Sequence, residues 1–586
     1  MTLRGRTAAA AAALIVVATL AVGGPANAAP PPGVTHAENP RVPEGAVWTE
    51  AYFPSADHSG VELHADVLRP ANLPAHARTP VILAVGPYFG HAGQTGPEGW
   101  AQAGPSNRFA DFTSGTGLFA RGYTYVMVDL RGFGGSTGCL DWVGPGEQAD
   151  VEAAIRWAAS RPWSTGRVGM YGKSYDAVTG LVGNNLRLGA LKAVVAQEPV
   201  WNMYDYLFSN AVPRPNVTGT PNAYNGIATI APLADDTDRY KANAGYESGH
   251  PECLTDNLTN NNNPDLDSPY WRARNLAANA RGTSTPLFIT QGFIENNTKP
   301  EDVEEYLGNH HGVERGWMGQ WEHVRGNETN SQGQLLQGRA GFFDEVMRFY
   351  DRYLKGIRPA VQDPAFAIED NTAAWRAQPA WPTPSSRTTA NLSNGAYVDD
   401  GVASALAAPA GQQWDMEHYT DPGLVSVQGF AADAHSYFSW STPAPSRVRI
   451  TATPRITLTA SAPGNVMVRL WDVAPDGTAV MFDENVALIE RAGRLAFDLK
   501  STDWTFAAGH QLGVQIGTIG SGSWRDTPSG NTIEVTRARL SLALQNPRFD
   551  VPTQGERSPF LDTYLRQYTR TLTDIGAGTF PLALHR

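Results

Sequence analysis

Val-Gly-Met-Tyr-Gly-Lys-Ser-Tyr-Asp-Ala-Val-Thr-Gly, residues 168–180, is the stretch that decides the fold of this chain. A short apolar run ends at Gly172, a single residue separates that glycine from Ser174, and small residues follow that can open a helix. This is the layout of a nucleophile elbow, where the chain turns so sharply from strand to helix that a serine Oγ stands exposed above a sheet. Small neighbours are needed because a large side chain would strike adjacent backbone. The second glycine of the usual Gly-x-Ser-x-Gly pattern is missing, with Asp176 and then Ala177 following Tyr175. A plain Gly-Ser turn between a buried strand and a helix leaves the same trace, so the downstream sequence has to decide.

At 586 residues the chain exceeds one ordinary core and calls for two or three domains. Its start is basic (Arg4, Arg6), then uncharged from about Thr7 to Val22, then Ala26-Asn27-Ala28. That reads as a secretory signal spanning residues 1–28 and cut after Ala28. The rival reading, an uncleaved anchor, needs a longer apolar run. No later segment is apolar enough to span a bilayer, so no membrane partner is expected once the signal is cut. Loss of Arg4 and Arg6 takes the formal charge from −12 to −14, and Lys/Arg clusters are absent, which excludes a nucleic-acid partner. The two cysteines, Cys139 and Cys253, suggest one disulfide in an exported chain, with two buried thiols as the alternative. No His-Glu-x-x-His or paired-histidine spacing occurs, so no metal site and no cofactor are predicted.

After a Pro-rich leader, Ala46–Phe53 and Val61–Leu68 read as an antiparallel hairpin. Continuous apolar runs at Pro80–Val85, Tyr123–Leu130, Arg167–Tyr171, Leu191–Ala196 and Leu287–Thr290 then alternate with helical patterns such as Glu147–Ser160. Alternation of this kind predicts a mostly parallel sheet with helices on both faces. Residues 45–200 and 282–357 form its two parts. Residues 201–281 interrupt it, aromatic at first and then polar from Asn257 to Asp265, a tract read as loop. The insertion is placed as a cap over the sheet. Phe342–Leu354 is a strongly amphipathic helix. Beyond the Pro379–Pro384 linker come short strands without helices, including Val448–Thr453, Arg455–Ala460, Val466–Asp472, Leu512–Ile516 and Thr532–Leu540. Residues 385–586 are therefore read as a β-sandwich of jelly-roll type.

A serine hydroxyl attacks a carbonyl well only when a histidine takes its proton and an acid holds that histidine. In this fold class the chain order is nucleophile, acid, histidine, each in a loop after a strand. Glu295 lies in the loop after Leu287–Thr290, and His323 in Gly319-Gln320-Trp321-Glu322-His323-Val324-Arg325-Gly326. Ser174, Glu295 and His323 are thus the candidate triad. Glu301 and Asp302 compete with Glu295 but occupy a helix first turn, where acids serve the dipole. His310 and His311 compete with His323 but end a predicted helix. His418, His435 and His510, in the β region, are read as ordinary groups.

At this point the residues resemble a family. Gly172-Lys173-Ser174-Tyr175, Asp129-Leu130-Arg131-Gly132 with Gly134-Gly135-Ser136, and the run from Trp157 through Pro162-Trp163-Ser164 look like those of the Xaa-Pro dipeptidyl-peptidases. That family also holds cocaine esterase and the α-amino acid ester hydrolases. The resemblance runs from about Val47 to the C-terminus and implies an α/β-hydrolase domain, a helical cap and a C-terminal jelly roll. It also implies that Tyr88, in Gly86-Pro87-Tyr88, is an oxyanion tyrosine whose OH works with the Tyr175 N–H. Two departures stand out: the family's acid is usually Asp rather than Glu, and Ala177 replaces a glycine.

The function expected is an exported serine hydrolase releasing Xaa-Pro dipeptides from peptide N-termini. Such an exopeptidase needs an anion for the substrate's α-ammonium, and Glu198 and Asp205, near the cap, are the candidates. A carboxylesterase or α-amino-acid ester hydrolase would use the same triad, so the partner is a peptide or small ester. A non-catalytic binding protein would be favoured were a triad member missing. Oligomeric state is not legible.

Overall fold

The computed structural model describes residues 39–74, 76–404 and 433–584. The predicted signal at residues 1–28 and His418 lie outside them. The hairpin forms as β1 (Ala46–Pro54) and β2 (Glu62–Pro70). Next come β3 (Thr79–Gly86), helix α1 (Ala110–Gly115), β4 (Thr124–Asp129), α2 (Pro145–Ser160), β5 (Ser164–Lys173), α3 (Tyr175–Asn185) and β6 (Leu191–Gln197). Residues 203–279 hold α4 (Met203–Leu207), the paired short strands β7 (Phe208–Ser209) and β8 (Val212–Pro213), α5 (Asn216–Ala228), α6 (Asp238–Asn243), α7 (Glu252–Asn261), α8 (Pro269–Arg274) and α9 (Leu276–Asn279). The sheet resumes with β9 (Leu287–Gly292), α10 (Val303–Asn309), β10 (Glu314–Gly319), α11 (Phe342–Tyr350), β11 (Phe366–Glu369) and β12 (Trp375–Gln378).

Among the described residues these strands make one sheet in the order β1-β2-β4-β3-β5-β6-β9-β10-β11-β12, closed at its far edge by Val551–Pro552. From β4 through β11 neighbouring strands run parallel. The period of two along a strand splits its side chains between two cores. In β3, Val81, Leu83 and Val85 pack with Val151, Ile155 and Leu181 of α2 and α3, while Ile82 and Ala84 join Trp317, Val346 and Tyr350 on the α11 side. A Cβ on Gly169 would lie 2.8 Å from the Tyr350 ring, so this glycine is what lets α11 approach β5. The parallel strands point their C-terminal ends at one rim, where ligands bind in such sheets.

Two predictions of local structure are corrected. The polar tract from Asn257 is not all loop, because α7 runs through Asn261. Cys253, Asn257 and Asn261 recur every fourth residue on its buried face, and Asn261 Oδ1 accepts from the Tyr270 hydroxyl at 2.7 Å, so polar side chains with partners fill a core position. The runs Val448–Thr453 and Arg455–Ala460 form one strand, Val448–Ala460, whose pairing shifts register between Thr451 and Arg455 around Pro454. The C-terminal β domain stacks a six-stranded and a five-stranded antiparallel sheet, a jelly-roll sandwich.

Candidate active site

Ser174 sits between β5 and α3 with φ 62° and ψ −128°, a conformation that non-glycine residues avoid and that the surrounding structure must impose. Its N–H donates to the Gln197 carbonyl at 2.9 Å, and its own carbonyl accepts from Ala177 and Val178 N–H. A Cβ on Gly172 would lie 2.2 Å from the Asp176 backbone, so the tight crossing requires glycine there. Ala177 is wholly buried in α3, where its methyl fits. Asp176 is held beneath the elbow by Arg108, whose guanidinium also donates to the Lys173 carbonyl at 3.2 Å. Burial raises the Asp176 carboxyl to about 6 despite that partner.

Glu295 follows β9 and His323 follows β10, the next strand in the sheet. The Glu295 carboxylate lies 3.5 Å from His323 Nδ1. It is fully buried, yet accepts from Asn297 N–H at 2.8 Å, Thr298 N–H at 2.8 and 3.0 Å, Thr298 Oγ1 at 2.5 Å and Lys299 N–H at 2.7 Å. Burial alone would raise its pKa; the His323 imidazole and the Thr298 donors outweigh this and bring it to about 2. Two further bonds tie the histidine loop to the elbow: Gly326 N–H donates to Gln197 Oε1 at 3.1 Å, and the carbonyl of that same Gln197 receives the Ser174 N–H. Asp302 lies elsewhere, facing a cavity of about 800 Å³ between α10 and the β domain. His310 is buried between Glu314 and the Thr285 carbonyl.

Tyr88, just past β3, is buried, and its OH is hydrogen-bonded to the Tyr224 hydroxyl from α5. The Arg108 guanidinium covers its ring at 3.9 Å. Burial pushes the phenol up to about 12, so it stays a neutral donor. The Tyr175 side chain donates to Glu147 Oε2 at 2.7 Å, which fixes the residue. Tyr224 also meets the rings of Trp142, Tyr175 and Phe133 at 5.3, 5.4 and 6.3 Å.

The structure does not place Glu198 as an amine anchor. Its carboxylate is fully buried and accepts from Thr290 Oγ1, Gln291 Nε2, Gly292 N–H and Trp321 Nε1. Burial and the nearby Glu295 raise it to about 8, which makes it a neutral acid at neutral pH. Asp205 is likewise displaced: it lines the same cavity as Asp302, to which Ser174 and His323 do not contribute. Cys139 and Cys253 are bonded, their Cα atoms 5.2 Å apart, which ties α7 to the segment after β4. The sequence reading missed Thr298, whose hydroxyl lies 3.5 Å from His323 Nδ1. It also missed Arg214, which donates to the Asn296 and Asn297 carbonyls at 2.6 and 3.3 Å and pins the Glu295 loop from the cap. Neither sits in a motif.

Residues 59–325 match the family model described as X-Pro dipeptidyl-peptidase (S15 family), and residues 360–547 match the model of that family's C-terminal non-catalytic domain. The chain belongs to the S15 family. A relative from Streptomyces avermitilis, provisionally named an Xaa-Pro dipeptidyl-peptidase, is 24% identical over 471 residues, covering 74% of this chain and 64% of its own. A Mycobacterium bovis protein provisionally named a serine esterase is 21% identical over 617 residues, covering 87% of this chain and 95% of its own. The crystal structure of an α-amino acid ester hydrolase superposes with a TM-score of 0.60 at 17% identity, over 86% of this chain and 97% of that one, which shows the shared fold.

Proposed function

We propose that this protein is an exported serine hydrolase that removes Xaa-Pro dipeptides from peptide N-termini through an acyl-enzyme. The observation that carries the reading is the pairing of the buried Glu295 with His323 on adjacent strand ends, the histidine loop being bonded through Gln197 to the strained Ser174 elbow. In this reading Ser174 Oγ attacks the carbonyl after proline and His323 Nε2 takes its proton. Glu295 holds Nδ1–H and stabilises the imidazolium that forms. The oxyanion is received by the Tyr88 hydroxyl and the Tyr175 N–H. His323 then gives its proton to the leaving amine, and water repeats the sequence to free the dipeptide and regenerate Ser174. Tyr224, which meets Tyr88, and the rings of Phe133, Trp142 and Tyr175 gathered around Tyr224 supply the flat apolar walls that a proline ring suits. The S15 match over the catalytic half supports the peptidase assignment. Export is supported by the leader-like start and by the Cys139–Cys253 bond, which belongs in an oxidising compartment.

A second reading, an esterase on the same residues, is favoured by two observations. The Mycobacterium bovis protein provisionally named a serine esterase aligns over nearly its whole length, and neither acid foreseen as an amine anchor is free to serve. Gly-Pro and Ala-Pro anilides assayed beside simple p-nitrophenyl esters separate the two. Release of the anilide product is expected; fast ester turnover without it would replace the peptidase reading. Ser174→Ala is expected to abolish both activities, and unchanged turnover would reject the elbow.

A further inference from the structure

Away from Ser174, the hairpin and its neighbours gather an unusual set of buried side chains. Antiparallel pairing puts Glu50 of β1 directly opposite Asp66 of β2, with His64 on the same face two residues before Asp66. Like charges in directly opposed positions are destabilising unless something lies between them. His91, from the loop that carries Tyr88, joins them. Its Nε2 lies 3.3 Å from Asp66 Oδ1, and His64 Nε2 lies 3.4 Å from Glu50 Oε1 and 3.9 Å from Asp66 Oδ1. Ligand atoms of Glu50, His64 and His91 all fall within 4.8 Å of one another. The His64, Asp66 and His91 side chains are 1% exposed and that of Glu50 is 2%. His64 Nε2 and Asp66 Oδ2 have no hydrogen-bond partner, which a buried polar atom normally finds.

Both histidines are aimed by carboxylates on their far side. His64 Nδ1 lies 2.7 Å from Asp129 Oδ2, and His91 Nδ1 lies 2.6 Å from Asp236 Oδ1. A carboxylate on one ring nitrogen fixes the tautomer and turns the other nitrogen's lone pair toward a metal. Tyr240 stacks on His91 at 4.1 Å and meets His64 edge-on at 5.0 Å, holding both rings in place. Bonds of about 2.0–2.1 Å in a tetrahedral zinc site put neighbouring ligand atoms roughly 3.3 Å apart, a spacing matched by His91–Asp66 and His64–Glu50 at 3.3 and 3.4 Å and to be tightened by the ion elsewhere in the cluster.

We infer that His64 Nε2, His91 Nε2 and Glu50 form a structural site for one divalent cation of the zinc class, with the Asp66 carboxylate beside it. The cation would neutralise the opposed Glu50 and Asp66. It would also clamp the hairpin to the Tyr88 loop and, through Asp236 and Tyr240, to the cap. It takes no part in the acyl transfer.

Two buried imidazolium protons would supply the same positive charge as one dication, and the carboxylates do pull His64 and His91 up to about 10 and about 9 against the effect of burial. The experiment must therefore tell cation from proton. Elemental analysis of the purified full-length protein after dialysis is expected to find close to one zinc-class metal per chain. Chelator-treated protein titrated with Co²⁺ should develop the intense visible bands of a tetrahedral ion, saturating at one equivalent, and Zn²⁺ should raise its Tm by several degrees. His91→Gln and, as a milder change, Glu50→Gln should lose or weaken the Co²⁺ spectrum while Ser174 still reacts with a phosphonate probe. Substoichiometric metal with no Co²⁺ bands and no Zn²⁺ shift in Tm would assign the cluster to protons and overturn the inference. A Co²⁺ spectrum unchanged in both variants would place the ion elsewhere and overturn it equally.

Discussion

Replacing Glu295 by glutamine is the sharpest test of the site, because the carboxylate has two jobs that the amide cannot share. The pull to about 2 from an ordinary value near 4.5 corresponds to about 3 kcal/mol of preference for the ionised form. The His323 imidazole is the leading source of that preference after burial is overcome, and in the proposed mechanism the same interaction stabilises the imidazolium during attack. The amide also swaps one acceptor oxygen for a donor. Oε1 now accepts from Asn297 and Thr298 N–H, and Oε2 from Thr298 N–H, Thr298 Oγ1 and Lys299 N–H, so an NH₂ at either place faces another donor. A buried donor left without an acceptor costs about 1–3 kcal/mol. The expected result is a loss of stability of about that size and a fall in kcat of roughly 10²–10⁴ with KM little changed. Steady-state kinetics on Gly-Pro-p-nitroanilide and on an ester, with thermal unfolding alongside, read both. Near-wild-type kcat in a folded Glu295→Gln protein would refute the reasoning, as would Asp302→Asn producing the loss instead.

If Tyr88 donates to the oxyanion as proposed, Tyr88→Phe should lower kcat by about 10²–10³ on every substrate while the fold persists; an effect confined to KM would assign Tyr88 to binding. Cys139→Ser with Cys253→Ser should cost about 2–5 kcal/mol of stability and expose residues 203–279 to proteolysis before the rest, measured by unfolding and limited digestion. Stability should peak on the acid side of neutrality. Burial raises Glu147 to about 7 and Glu198, Glu369 and Asp483 to about 8. Each therefore keeps its proton in the folded state where the unfolded chain releases it near pH 4, so their contribution is complete below that pH and is lost as pH rises through 7–8. Glu295 works in the opposite direction: its contribution is present above about pH 4.5 and disappears as pH falls toward 2. A Tm that climbs steadily from pH 5 to 9 would contradict this balance.

The elbow, and the placing of Glu295 and His323 in loops after adjacent strands, could be read from residues because their signals are local. Gly172 is demanded by a backbone crossing only a few residues away, and Glu295 and His323 each follow an apolar run. Where partners are distant the reading failed. Glu198 looked like a loop-end acid, and only the folded chain brings Trp321 and Gly292 onto its oxygens. The face of α7 is built from asparagines, whose polarity hides helical spacing until Tyr270 satisfies one of them. Pro454 split a continuous strand in two because its missing N–H reads as a break, whereas here it sits at a register shift. His64 and His91 share no motif; strand register and a long loop make them neighbours.

The C-terminal domain reaches back into the catalytic half at several points. Val551–Pro552 supplies the last rung of the hydrolase sheet beside β12, the Asp503 carbonyl accepts from Gln320 Nε2 at 3.0 Å, and Ser558 N–H donates to Glu369. Gln320 stands three residues ahead of His323, so the β domain acts as a splint on the very turn that presents the imidazole. A fragment ending where the hydrolase homology stops would forfeit both its sheet margin and this brace. Inactivating lesions in such a chain can therefore arise far from the serine, in the C-terminal module that braces this turn.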